Sequence, residues 1–213
     1  MGTIRLNKPL FMGVDSFEKK LGLKKGFFDK LQKEDDWSFI IKLHALFEAV
    51  CTQLLVFHLG EDKLSETFSK LELSNKSIGK LVFLKKMELI GKDDRKFIYS
   101  LSELRNQLVH NVANCEFDLK EMVAKYSPAE LRNFTKTFSP DECVTVSDNI
   151  KDGLVEIGEN KMAELIERAK DYPKIHIWIG AHNVLVSIGN NFGYSDYKQY
   201  IKAKKILFEA EEE

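Results

Sequence analysis

The chain has 213 residues, 44% of them apolar, with 32 Lys and Arg against 33 Asp and Glu for a formal net charge of −1. That is ordinary for one large packed domain, or one domain with an extension. It excludes a protein that coats nucleic acid by bulk positive charge, so any charge-driven recognition has to be local. In chain order, Asp15-Ser-Phe-Glu18 has the pattern of a capping box and opens a lysine-rich amphipathic segment to about residue 34. Trp37 to Leu59 is the strongest predicted helix. Ile40, Leu43, Phe47, Val50, Leu54 and Phe57 recur at three- and four-residue spacing, and Gly60 supplies a stop. It is apolar nearly all round, which places it at the centre of a bundle. Short helices are expected at 61–71 and at 77–89, the latter ended by Gly91. Asp93 is expected to cap the next helix, 94–110, with Phe97, Leu101, Leu104 and Leu108 on its buried face.

Residues 10–127 contain no proline, whereas Pro128, Pro140 and Pro173 break up the remainder. The shift suggests a boundary near 115–127. Residues 1–115 would hold an N-terminal arm and a helical bundle with its core at about 35–115. Residues 116–213 would form a C-terminal helical extension packed on the same domain. Ser127-Pro-Ala-Glu130 and Ser139-Pro-Asp-Glu142 both combine a capping box with proline at the first helical position. Residues 160–171 read as a helix. Ile175 to Ile188 begins with strand-like alternation, but Trp178, Ala181, Leu185 and Ile188 fit a helix face, and helix is preferred. The end, 195–210, also reads as helix, so the protein is expected to be mostly α.

The stretch that carries chemistry is Leu104-Arg105-Asn106-Gln107-Leu108-Val109-His110-Asn111, late on an amphipathic helix. Arginine binds phosphate through a rigid, permanently charged fork. Histidine is the side chain whose ordinary pKa suits proton transfer near neutrality. Asn106 and His110 are four apart and share a helix edge, while Arg105 lies about 140° round from His110. A second copy related by a two-fold axis would close such an edge into a cleft holding two arginines and two histidines. The central helix adds a polar stripe, His44, Glu48 and Thr52. A carboxylate in so apolar a helix needs a partner; Glu48 is a candidate to orient Arg105 or His110, while a stripe facing solvent or a dimer contact is the more expected reading.

Arg105-Asn106-x-x-x-His110, near the end of a helix in an α-helical bundle, resembles the R-x4-6-H motif of the HEPN superfamily, over about residues 35–115. Leu46-Phe-Glu-Ala-Val50 followed by Leu104-Arg-Asn is similar also to the mannitol operon repressor branch of regulators. The resemblance implies a HEPN-type bundle of four or five helices, a homodimer and a composite site at its interface. It also implies a metal-independent endoribonuclease of the kind found among toxins and antiviral defence effectors, acting on RNA and paired with an antitoxin or other regulatory protein. His110 would serve as general base or acid, Arg105 would stabilise charge on the scissile phosphate, and Asn106 would orient phosphate or imidazole. Glu48, His44 and Asn111 would support them. Attack by the ribose 2′-hydroxyl would make RNA the substrate and leave a 2′,3′-cyclic phosphate. No cofactor or metal is called for. Leu131-Arg132-Asn133 repeats half of the motif but has Thr137 in place of the histidine.

The alternative is a non-enzymatic dimeric regulator or interaction protein built on the same helices. No helix-turn-helix or basic arm stands out. Residues 76–105 carry 8 basic and 4 acidic groups; this is either a basic surface beside the motif or a solvated lysine-rich face. Cys51, Cys115 and Cys143 have no metal or redox spacing, and an odd count without a signal-peptide pattern suggests a reducing cytoplasm. His58, His176 and His182 lack partners at zinc-site spacing and are expected to be structural. The longest uncharged run, 175–195, contains two histidines and three asparagines and is a poor membrane span. A soluble protein is expected. Trp178, Phe192, Tyr194, Tyr197 and Tyr200 are expected to be core rather than a partner surface or a base-stacking platform.

Overall fold

The computed structural model describes residues 14–110, 115–139 and 159–209. Among them are ten α-helices: α1 Val14–Lys20, α2 Phe27–Lys30, α3 Asp36–Leu59, α4 Ser65–Ser69, α5 Lys80–Lys86, α6 Lys92–Val109, α7 Leu119–Ala124, α8 Pro128–Thr137, α9 Glu159–Asp171 and α10 Pro173–Glu209. No strand occurs among the described residues. The mostly α class is therefore as expected.

Helix α3 organises the molecule. The Asp35 side chain accepts from the Ser38 N–H at 2.8 Å and caps its start. Gly60 ends it at φ 70°, a left-handed conformation that costs glycine little. Phe39, Ile40, Leu43, Phe47, Val50, Cys51, Leu54 and Leu55 are fully buried. Burial this complete requires neighbours on most sides, and α4, α5, α6 and α10 supply them. By length and composition α3 alone among the described helices could cross a membrane, and two thirds of its most apolar stretch is covered by the bundle.

The segment 175–188 is helical and continues without a break to Glu209, so two predicted elements are one. Pro173 opens α10 where its missing N–H costs nothing. Helix α10 packs along α3, with Ile177, Ala181, Val184, Leu185, Ile188 and Phe192 in the same buried cluster as the residues of α3 and α6. Trp178 stacks on Phe28 at 5.0 Å between ring centroids, and its indole N–H donates to the Phe28 carbonyl at 3.1 Å. Phe192 sits at 5.4 Å from Phe17 and 5.1 Å from Phe57. The residues before and after 115–127 thus share one core.

Several local expectations are corrected. The segment 15–34 is not one helix, because the chain turns at Gly22 (φ 68°) and Gly26 (φ 77°). Helix α1 begins at Val14, so Asp15 lies within its first turn rather than before it. Glu18, 2% exposed, reaches forward and accepts from the N–H groups of Gly26 and Phe28 at 2.7 and 2.8 Å. It satisfies donors at the start of α2 instead of closing a box on its own helix. Helix α5 stops at Lys86 and the chain turns through Glu88 at φ 58°, before Gly91 is reached. Gly91 precedes α6, which leaves Asp93 in the first turn, where it complements the helix dipole. Ser127 and Glu130 form the full capping box with Pro128 inside it. The second box, beyond Ser139, lies outside the described residues.

A buried polar node ties the later helices together. His176, fully buried, meets Ser139 Oγ at 2.8 Å and the Thr135 carbonyl at 3.1 Å through Nε2. Arg168 donates from Nε to Nδ1 of the same ring at 3.2 Å. The ring therefore carries its proton on Nε2 and joins α8, α9 and α10, a structural role as expected.

Candidate functional site

Helices α3 and α6 run antiparallel. The Trp37 indole N–H donates to the Leu108 carbonyl at 3.5 Å, and His44 Nε2 lies 3.2 Å from Ser102 Oγ. In this register Arg105 is level with Ile41, and Glu48 is level with Ile98. Arg105 and Glu48 are therefore about seven residues, or roughly 10 Å, apart along the pair.

Arg105 is half-buried and donates from Nη1 to Asn106 Oδ1 at 3.0 Å, which steadies the guanidinium. Asn106 is exposed. His110 is exposed at the C-cap of α6, with φ −85° and ψ −8°. It lies about 7.5 Å further along the axis and about 140° round from Arg105. Arg105 shares its edge with Ser102 and looks toward α3. His110 shares its edge with Glu103 and Gln107, which line a cleft of about 470 Å³ toward Tyr126 and Asn133. One chain thus presents the two residues on different sides of α6. Asn111 lies outside the described residues. In the half-motif on α8, Thr137 is 3% exposed and Asn133 accepts from Lys96 at 3.4 Å. The position matching His110 is there turned into the core.

Glu48 does not orient Arg105 or His110. It pairs with Lys80, whose Nζ lies 3.0 Å from Glu48 Oε1 and 3.4 Å from the Ser69 carbonyl. Lys80 is fully buried at the start of α5, while the Glu48 side chain is 39% exposed. The polar stripe of α3 is thus explained residue by residue. His44 meets Ser102, Glu48 meets Lys80, and the Thr52 hydroxyl donates to the Glu48 carbonyl at 2.9 Å. Glu48→Ala should strand the ammonium and lower stability by about 2 kcal/mol, less than the roughly 3–5 of a fully buried pair because Glu48 is partly solvated. Lys80→Met should cost little, since an apolar side chain of similar volume needs no partner. Thermal unfolding of the two variants checks the asymmetry. Cys51, fully buried near Lys80, has its thiol pushed up to about 12 by burial, which makes it an inert core residue.

The basic stretch 76–105 is only partly a surface. Lys80 is internal, and Arg95 donates to the Ile90 carbonyl at 2.6 Å. The exposed Lys92 and Lys96 lie at the opposite end of α6, roughly 14–20 Å from Arg105.

With the Ser102 hydroxyl proton on the Ile98 carbonyl, 2.9 Å away, the Ser102 oxygen accepts from His44 Nε2–H. Nδ1 is left with the lone pair. Burial, followed by the charges of Arg105 and Lys80, holds His44 below the usual imidazole value of 6.5, with Glu48 opposing. The neutral ring is therefore the folded form. Its contribution to stability is present above about 6.5 and is lost as pH falls through the lowered value. Ser102 and Lys80 were not singled out from the sequence, although each had a signal: a polar residue on an apolar face. Ser102 lies on the Ile98–Leu101 face of α6, and Lys80 precedes Leu81-Val-Phe-Leu84.

Comparison with family models, with characterised proteins and with solved structures finds no match for this chain.

Proposed function

We propose that the protein is a metal-independent endoribonuclease of HEPN type that works as a homodimer. One observation carries this reading: a half-buried arginine, braced by its neighbouring asparagine, lies on the helix whose exposed C-cap is a histidine. Arg105 would bind the scissile phosphate and stabilise the charge that develops on it. His110 would move a proton at the attacking or leaving oxygen. The ribose 2′-hydroxyl is the nucleophile, which restricts the substrate to RNA. Because Arg105 and His110 sit on different sides of α6, a two-fold copy is what would bring an arginine edge and a histidine end together. A toxin or defence role with a neutralising partner protein fits such an enzyme.

The same divergence favours a second reading, a dimeric regulator without chemistry. RNA and DNA of matched sequence, incubated in EDTA with the parent protein and with His110→Ala, separate the two. The proposal expects RNA alone to be cut, leaving 2′,3′-cyclic phosphate ends, with cleavage lost in the variant. Intact RNA with folded, dimeric parent protein favours the regulator.

A further inference from the structure

We propose that His44 is the imidazole that serves Arg105, accepting the 2′-hydroxyl proton of an RNA whose phosphate is seated on that arginine. The inference rests on the ribonuclease reading and deepens it by assigning the base to α3.

Four observations converge. His44 bonds Ser102, and Ser102 and Arg105 are three residues apart on one edge of α6, so the imidazole and the guanidinium are neighbours. The chain from His44 Nε2 through Ser102 Oγ to the Ile98 carbonyl holds the ring in place and suits the tautomer with its lone pair on Nδ1. It does for His44 what an orienting carboxylate does in other acid–base sites. Nδ1 carries no hydrogen bond among the described residues, so its lone pair is available. The groups that face the ring are Glu48 on α3, Lys80 on α5, and Ser102 and Arg105 on α6. Glu48 is matched by Lys80, which leaves Arg105 as the unmatched charge beside the ring. Burial keeps the ring neutral, the state a base requires, with Arg105 and Lys80 adding to it and Glu48 opposing.

The step balances. His44 Nδ1 takes the proton from the 2′-hydroxyl. The 2′-oxygen bonds to phosphorus as the P–O5′ bond breaks. The 5′-oxygen leaves as a hydroxyl with a proton from the His110 imidazolium, supplied in the proposed dimer by the second copy. Arg105 stays on the non-bridging oxygens throughout.

His44→Gln tests this, because glutamine can keep an N–H donor toward Ser102 while removing the base. The expected result is an unchanged unfolding temperature, a nearly unchanged KM for RNA, and kcat lower by roughly 10²- to 10⁴-fold. The acidic limb of the kcat/KM–pH profile should disappear with it. Cleavage by His44→Gln at the parent rate overturns the base role alone, whereas intact RNA with the parent overturns the ribonuclease reading as well. A second measurement needs no turnover. Inorganic phosphate added to the parent should shift the His44 ring resonances and raise their titration midpoint, and Arg105→Ala should abolish both effects. Resonances unmoved by phosphate overturn the pairing of His44 with Arg105.

Discussion

Gly180→Ala should lower the midpoint of thermal unfolding by roughly 4–8 °C. A methyl group built on this glycine would lie 2.0 Å from the Phe138 carbonyl oxygen, 2.9 Å from its carbon and 3.0 Å from the Phe97 ring. The oxygen and carbon are backbone, at the point where α8 ends against the third turn of α10. Neither can swing aside as the tip of a long side chain would. Relief would require α10 to move away from α8, opening contacts among Phe97, Phe134 and Phe138. Overpacking a tight core costs about 1–3 kcal/mol and occasionally more, and the upper end applies where backbone must yield. Alanine's advantage in helix propensity, about 1 kcal/mol, offsets only part of that. A net loss of about 2 kcal/mol in a chain of this length corresponds to roughly 4–8 °C. Calorimetry or circular dichroism measures it. An unchanged midpoint would mean that α10 is not held against Phe138.

If the protein is the ribonuclease proposed above, Arg105→Lys should abolish most RNA cleavage even though it preserves the charge. Lysine offers a compact, mobile ammonium, whereas the guanidinium presents two parallel donors to two phosphate oxygens. Asn106 Oδ1 engages Nη1 and leaves the other guanidinium donors for a ligand. Loss of a preorganised donor to a developing oxyanion costs roughly 10²- to 10³-fold in rate. The same order is expected in single-turnover cleavage by Arg105→Lys. RNA binding should weaken far less, because charge attraction remains. A lysine variant that cuts within about threefold of the parent would show that only the charge matters and would remove Arg105 from the transition state.

How far the sequence spoke for itself differed from level to level. The central helix was legible because its apolar residues recur on every face and its cap and glycine stop are local signals. The capping box at Ser127 was legible for the same reason. The box at Asp15 and the cap at Asp93 had the right letters but sit inside helices that begin one residue earlier. Only backbone geometry distinguishes a cap from a first-turn acid. The partner of Glu48 was out of reach, because Lys80 is 32 residues away and joins it through the packing of α5 on α3. For the candidate site, the residues of the motif could be named, but their directions could not be used without the α3–α6 register. That register turns Arg105 toward His44 and leaves His110 at another edge.

The packing of α10 against α3 also has a consequence for biosynthesis. The central helix is complete at residue 59, but the side chains that cover it from α10 reach to Phe192. At synthesis rates of about 5–20 residues per second, its apolar surface waits on the order of ten seconds for that cover. Nascent chains arrested before residue 192 would therefore present a long sticky helix to chaperones and to one another. Folding of this bundle is tied to translation past Phe192, and ribosome stalling before that point would be a direct route to aggregation.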